Sequence, residues 1–156
     1  MLNVDKNAAN IALVQNFYAM FFRGDIAAII DNCTADVTWE SVGDRALFPI
    51  FGRWDGKDGV KAFFAALVET HDFNEFSPKE FYSSGDHVFV CGHYAMTIKK
   101  TGRRVEMDWV HVFVLRDGLC AGSANIPIRP PLLAAGGTEG PTSGLGKARW
   151  CRPCPW

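Results

Sequence analysis

Two long β-rich runs, residues 87–99 and 103–115, meet at a Thr101-Gly102 turn. Nothing else in the chain constrains its fold as tightly. So short a connection makes the two runs an antiparallel hairpin. In the second run Val105, Met107, Trp109, His111, Phe113 and Leu115 share one face by the period of two. Arg104, Glu106, Asp108, Val110, Val112 and Val114 share the other. The first face is large and apolar, and something must cover it.

The cover stands upstream. Ile11, Val14, Phe17, Tyr18 and Phe21 recur at helical spacing and predict a helix over residues 6–22, capped by Asp5 and ended by Gly24. Asp25 is placed to cap a short second helix carrying Ile26, Ile29 and Ile30. Val60, Phe63, Phe64 and Leu67 mark a third over residues 56–70. Residues 37–42 alternate like a strand and residues 76–82 form another, followed by a Ser84-Gly85-Asp86 turn. Residues 43–55 read as a loop, and Leu47, Phe48, Pro49, Ile50 and Phe51 make it apolar enough to cover something. Helices followed by antiparallel strands predict an α+β fold, with helices on one face of a curved sheet.

At 156 residues the chain has the length of one domain. A formal net charge of −1 gives it no general electrostatic hold on nucleic acid or an anionic membrane. No apolar run approaches the ~20 residues needed to span a bilayer, and the first ten residues do not resemble a secretory signal. Five cysteines with no disulfide spacing predict a reduced, cytoplasmic protein. His87 and His93, six residues apart on one strand, lie roughly 20 Å apart and cannot share a metal. His71, at a loop entry, reads as solvent-facing, and Cys33 and Cys91 read as small core residues. No metal site and no cofactor motif are found.

Composition breaks near residue 119. Residues 120–156 hold six of the eight prolines, three of the five cysteines and one acid, Glu139, of seventeen. The first 119 residues carry twelve Lys and Arg against sixteen Asp and Glu, a net of −4. The expected organisation is a folded domain over residues 1–119 and an atypical Pro/Gly-rich tail over 120–156. The Cys151–Cys154 spacing has no second ligand pair and lies at no strand-to-helix junction, so it reads as chance.

Several segments in this order resemble the nuclear transport factor 2-like superfamily, and within it the SnoaL-like polyketide cyclase and ketosteroid isomerase-related group. They are Arg23-Gly24-Asp25-Ile26, Asp36-Val37-Thr38-Trp39-Glu40 and the stretch from Gly52-Arg53-Trp54-Asp55-Gly56 to Val60. Met107-Asp108-Trp109-Val110-His111-Val112-Phe113 and Leu115-Arg116-Asp117-Gly118 complete the set. The resemblance implies a cone-shaped fold whose sheet and helices enclose an apolar pocket, and frequent homodimers. In such relatives the next strand commonly runs toward Arg-Glu-Tyr-x-Asp-Thr-Ala, where this chain has Ser123-Ala124-Asn125-Ile126-Pro127-Ile128-Arg129-Pro130. Synonymous codons for those residues exist that read, one frame over, Gly-Glu-Tyr-Thr-Asp-Thr-Ala. A single-base frameshift near Cys120 is therefore expected to have produced the tail.

The resemblance also suggests a site. His111 falls about where the steroid isomerases place an acidic residue that hydrogen-bonds the substrate oxygen. Glu40 falls near their general-base carboxylate. Their helix-borne Tyr aligns with Phe17, and Tyr18 is one residue off, about 100° round the helix. Glu40 and His111 are thus the catalytic candidates, Glu40 moving a proton and His111 bonding the substrate oxygen. Phe17, Tyr18, Trp39, Phe51, Trp54, Phe63, Trp109 and Phe113 are candidates for the substrate-binding wall, and Tyr94 is an alternative polarising group. The other reading of His111 is a core histidine, and that of Glu40 a solvated strand-edge acid. A one-residue slip exchanges Glu40 for Trp39. The expected function is binding of a small apolar, cyclic, oxygenated molecule with cofactor-free proton transfer, as in isomerisation or aldol-type cyclisation. The alternative is a non-catalytic ligand-binding or dimerisation module of the same fold.

Overall fold

The long hairpin is the middle of the sheet. The computed structural model describes residues 2–46 and 48–128. Strand β4 (His87–Ile98) pairs antiparallel with β5 (Arg103–Arg116), and β3 (His71–Ser84) pairs with the other edge of β4. The alternation in β5 is realised: Val105, Met107, Trp109, Phe113 and Leu115 are buried, while Arg104, Glu106 and Asp108 are exposed. Trp109 lies directly across from Gly92 and has no solvent exposure. A Cβ added at Gly92 would stand 2.2 Å from the indole ring, so only glycine leaves room for it there.

The remaining elements complete an open six-stranded sheet of order β2-β1-β6-β5-β4-β3. They are β1 (Cys33–Ser41), β2 (Gly52–Asp55) and β6 (Leu119–Pro127). All pairings are antiparallel except β1 with β6. Asp117 and Gly118, both at positive φ, make the tight turn into β6 that an Asp-Gly pair favours.

Helices α1 (Leu2–Phe22), α2 (Ile26–Asp31) and α3 (Gly56–Thr70) pack against the sheet. Val14, Phe17, Tyr18 and Met20 of α1 and Val60, Phe63, Phe64 and Leu67 of α3 are buried in the same core as β5. Asp25 caps α2 as expected, its carboxylate accepting from the Ala28 N–H at 3.1 Å. This is the α+β fold read from the sequence.

Four boundaries differ from expectation. Helix α1 begins at Leu2, so Asp5 sits in its first turn and does not cap it. The presumed loop contains strand β2, which closes the sheet edge on β1. Strand β3 starts at residue 71, and its first residue, His71, is 3% exposed rather than solvent-facing. The sheet also does not stop at residue 119. Residues 119–127 form β6, hydrogen-bonded on both sides, with Cys120 opposite Cys33 across β1. Small residues such as Ala121, Gly122, Ser123 and Ala124 give β6 little strand propensity. It is held by its two neighbours. Residues 129–156, with Cys151 and Cys154, lie outside the described residues.

The apolar loop between β1 and β2 folds inward as expected, burying Phe48 and Ile50. Arg45 pins it from outside. Its guanidinium donates to the Phe51 carbonyl (2.8 Å) and the Arg53 carbonyl (3.1 Å), and lies 4.4 Å over the Trp54 ring. No helix among the described residues is long and apolar enough to cross a membrane.

Candidate functional site

Helices, loop and sheet do not meet completely. Between them lies a cavity of about 80 Å³. A water needs ~10–15 Å³ by the same measure, so there is room for several waters or a small ring system. The helical wall is apolar: Phe17 and Phe21 come from α1, one turn apart, and Phe63, Phe64 and Leu67 from α3. The loop contributes Ile50 and Phe51. Tyr94, with Phe73, Phe76 and Met96, closes the end formed by β3 and β4.

The sheet floor is different. There Trp39 and Ser41 of β1, Ser123 and Asn125 of β6, and His111 and Phe113 of β5 line the cavity. His111 is the polar centre of this floor. The Tyr18 hydroxyl lies 2.8 Å from its Nδ1, while its Nε2 is buried with no hydrogen-bond partner. Burial lowers the His111 pKa to about 3, so the ring is neutral at physiological pH. Burial also holds the Tyr18 hydroxyl in its protonated form. A neutral ring facing a protonated phenol has one economical arrangement. Tyr18 donates to Nδ1, and the ring proton sits on Nε2, leaving one buried donor unsatisfied. The reverse tautomer would leave both the phenolic O–H and Nε2 without partners.

The ring is held from behind. Trp109 stacks on His111 with centroids 4.0 Å apart, and Phe76 stacks on Trp109 at 5.1 Å. This column fixes the imidazole plane against the cavity wall. Trp109 serves as support and does not line the cavity; its own Nε1 is buried without a partner. Trp54 also lies off the wall, donating from Nε1 to the Ile50 carbonyl at 3.3 Å beneath Arg45.

Of the residues expected from sequence, Phe17, Tyr18, Trp39, Phe51, Phe63, Phe113 and His111 come together at the cavity. Glu40 does not. It is exposed, facing away from the cavity between buried Trp39 and Ser41, where it pairs in register with Arg53 of β2. Its placement in the pocket is therefore corrected, and Trp39 takes the inward position. Tyr94 lines the cavity, but its hydroxyl donates to the Met107 sulfur at 3.2 Å. Ser41, Ser123 and Asn125 were not anticipated. Ser41 was legible from the parity of Trp39, whereas the β6 residues carry no sequence signal. Among the described residues no group of three or more His, Cys, Asp and Glu is placed to hold a metal ion.

The SnoaL-like domain family model matches residues 14–122. An NTF2-like protein from Burkholderia xenovorans superposes with a TM-score of 0.71 at 25% identity, over 78% of this chain and 90% of that one. An NTF2-like protein of unknown function from Burkholderia pseudomallei gives 0.68 at 25% identity, over 76% and 90%. TerC, crystallised with polyporic acid, gives 0.68 at 28% identity, over 76% and 91%. No curated protein matches the chain.

Proposed function

The chain belongs to the SnoaL-like family, and on that premise we propose that it binds a small, apolar, cyclic molecule carrying oxygen. One observation carries this reading. A cavity walled mainly by aromatic and aliphatic side chains contains a neutral imidazole whose Nδ1 is occupied by Tyr18 and whose Nε2 has no partner. A ligand oxygen accepting from Nε2–H would satisfy that donor, and the surrounding rings would take up the apolar body. The similarity to TerC, crystallised with polyporic acid, supports a small organic occupant. Titration with 2-naphthol and with naphthalene, followed by tryptophan fluorescence, tests it. The expected result is binding of 2-naphthol that weakens about tenfold in His111→Phe, with naphthalene unaffected. Equal binding of 2-naphthol to both proteins would remove His111 as the anchor.

A second reading is proton transfer on the bound ligand, for which the Tyr18–His111 contact fixes the ring tautomer. The low basicity of His111 makes it a better hydrogen-bond donor than a base for carbon acids, so binding comes first. Deuterium exchange into cyclic ketones, faster than buffer and lost in His111→Phe, would establish catalysis.

The outer sheet face supports a homodimer. Exposed Phe89 and Ile126 flank half-buried Val110 and Val112 across β4, β5 and β6, in register. Light scattering should give twice the chain mass, and Val112→Lys should give a monomer. We propose a cytoplasmic setting, since the five cysteines show no disulfide spacing in the sequence.

A further inference from the structure

We propose that the cavity selects a hydroxyl over a carbonyl or an ether, and that Asn125 makes the selection. This rests on the ligand-binding reading above and deepens it, from a ligand that carries oxygen to an alcohol or a phenol.

Strand register sets the geometry. Asn125 of β6 stands directly opposite His111 of β5, and both line the cavity. Directly opposed antiparallel residues leave the sheet on the same face, with Cβ atoms ~5 Å apart. The amide of Asn125 and the imidazole of His111 are thus neighbours on the cavity floor.

Each carries an unmet polar atom: His111 Nε2 and Asn125 Oδ1 are buried without hydrogen-bond partners. Their senses are opposite. With Tyr18 donating to Nδ1, the ring proton sits on Nε2, which therefore donates. Asn125 Oδ1 can only accept. One hydroxyl answers both, its oxygen accepting from Nε2–H and its proton going to Oδ1. Two hydrogen bonds of ~2.8 Å meeting at one oxygen span ~4.5–5 Å, the spacing that direct opposition gives these side chains. A ketone or ether oxygen meets His111 equally well but brings no proton. It leaves Oδ1 unpaired and shuts it off from water, which is the penalty that lets a polar site reject an analogue lacking the hydroxyl. His111 thus anchors either kind of oxygen, and Asn125 tells them apart.

Affinities for 2-indanol and 2-indanone, read by tryptophan fluorescence on the full chain, test the assignment. The two compounds share one skeleton and differ in whether the oxygen carries a proton. The unmodified protein should bind the alcohol about tenfold more tightly than the ketone. That ratio should fall to about one in Asn125→Leu and in Asn125→Ala, whatever each substitution does to the separate affinities. Two replacements of different size guard against a defect peculiar to one, and the comparison on the unmodified protein needs neither. If alcohol and ketone bind the unmodified protein alike, a water serves the pair in place of the ligand; this inference then falls and the broader reading stands. The same follows if the ratio survives both substitutions. If neither compound binds, both fall.

Discussion

The hydroxyl of Tyr18 and Nδ1 of His111, 2.8 Å apart, join helix α1 to strand β5 at the wall of the cavity. The contact decides which ring nitrogen carries the proton, leaving Nε2 as the donor without a partner. Removing the hydroxyl in Tyr18→Phe leaves Nδ1 buried and unpaired. Such a loss should cost about 1–3 kcal/mol, read by chemical denaturation. It should also weaken 2-naphthol binding, because the Nε2 tautomer is no longer enforced. An unchanged midpoint would show that the bond does not stabilise the fold.

Acid should weaken this protein before its carboxylates titrate. His111 has a folded pKa of about 3, below the ~6.5 of an unfolded histidine. Between those values the unfolded chain binds the extra proton, so stability is complete above about pH 6.5 and falls as pH drops toward 3. His71 is lowered in the same direction by burial, then by the charge of Lys99. Asp36 and Asp86, lowered by hydrogen bonds from Arg116 and Lys6, add their loss only below about pH 4. His111→Gln should flatten the thermal midpoint between pH 6.5 and 4 without abolishing the slope. A profile parallel to the unmodified protein would overturn the assignment.

Gly92→Ala should be among the most damaging single-methyl additions in the sheet. Its Cβ would meet two indole carbons of Trp109 at 2.2 and 2.4 Å and the Ser77 carbonyl at 2.7 Å. Overpacking of this kind costs about 1–3 kcal/mol. Displacement of Trp109 should also loosen His111, so thermal midpoint and ligand affinity should fall together. At Gly102 an added Cβ meets nothing within 4 Å, although φ is +67°. Gly102→Ala should therefore lower stability through backbone strain while leaving affinity intact.

Arg45→Ala tests the loop. The substitution removes two carbonyl contacts and the stacking over Trp54. Because Phe51 and Ile50 line the cavity, loosening the loop should speed both entry and release of 2-naphthol in stopped-flow traces. The side chain is exposed, so the melting temperature should move little.

The coding DNA is the remaining test. The family match ends at residue 122, next to the segment for which synonymous codons exist that read Gly-Glu-Tyr-Thr-Asp-Thr-Ala one frame over. We propose that the gene carries a single-base shift near Cys120. Codons that forbid the other-frame reading would end the idea.

Legibility followed physical locality. The β5 face was readable because alternation over twelve residues has one solution. Val37 and Val42 pulled β1 in two directions, since residues five apart cannot share a face. Val37 is fully buried and Val42 is 43% exposed, which turns Trp39 inward and Glu40 out. His111 needed both its apolar face and the resemblance to be placed at a pocket. Its partner on the helix was visible as Tyr18, but the contact was not. Nothing local marked β6, whose small residues become a strand through partners that lie far away in sequence.

That last strand also sets a schedule. Strand β6 sits between β1 and β5, so the oldest strand of the nascent chain cannot join the rest until the youngest has been made. The hairpin of β3, β4 and β5 can form first, leaving the exposed edge of β5 and the unpaired edge of β1 waiting on the ribosome. An interrupted or delayed C-terminus would therefore present two open strand edges to neighbouring chains, and aggregation during synthesis would be the first sign of it.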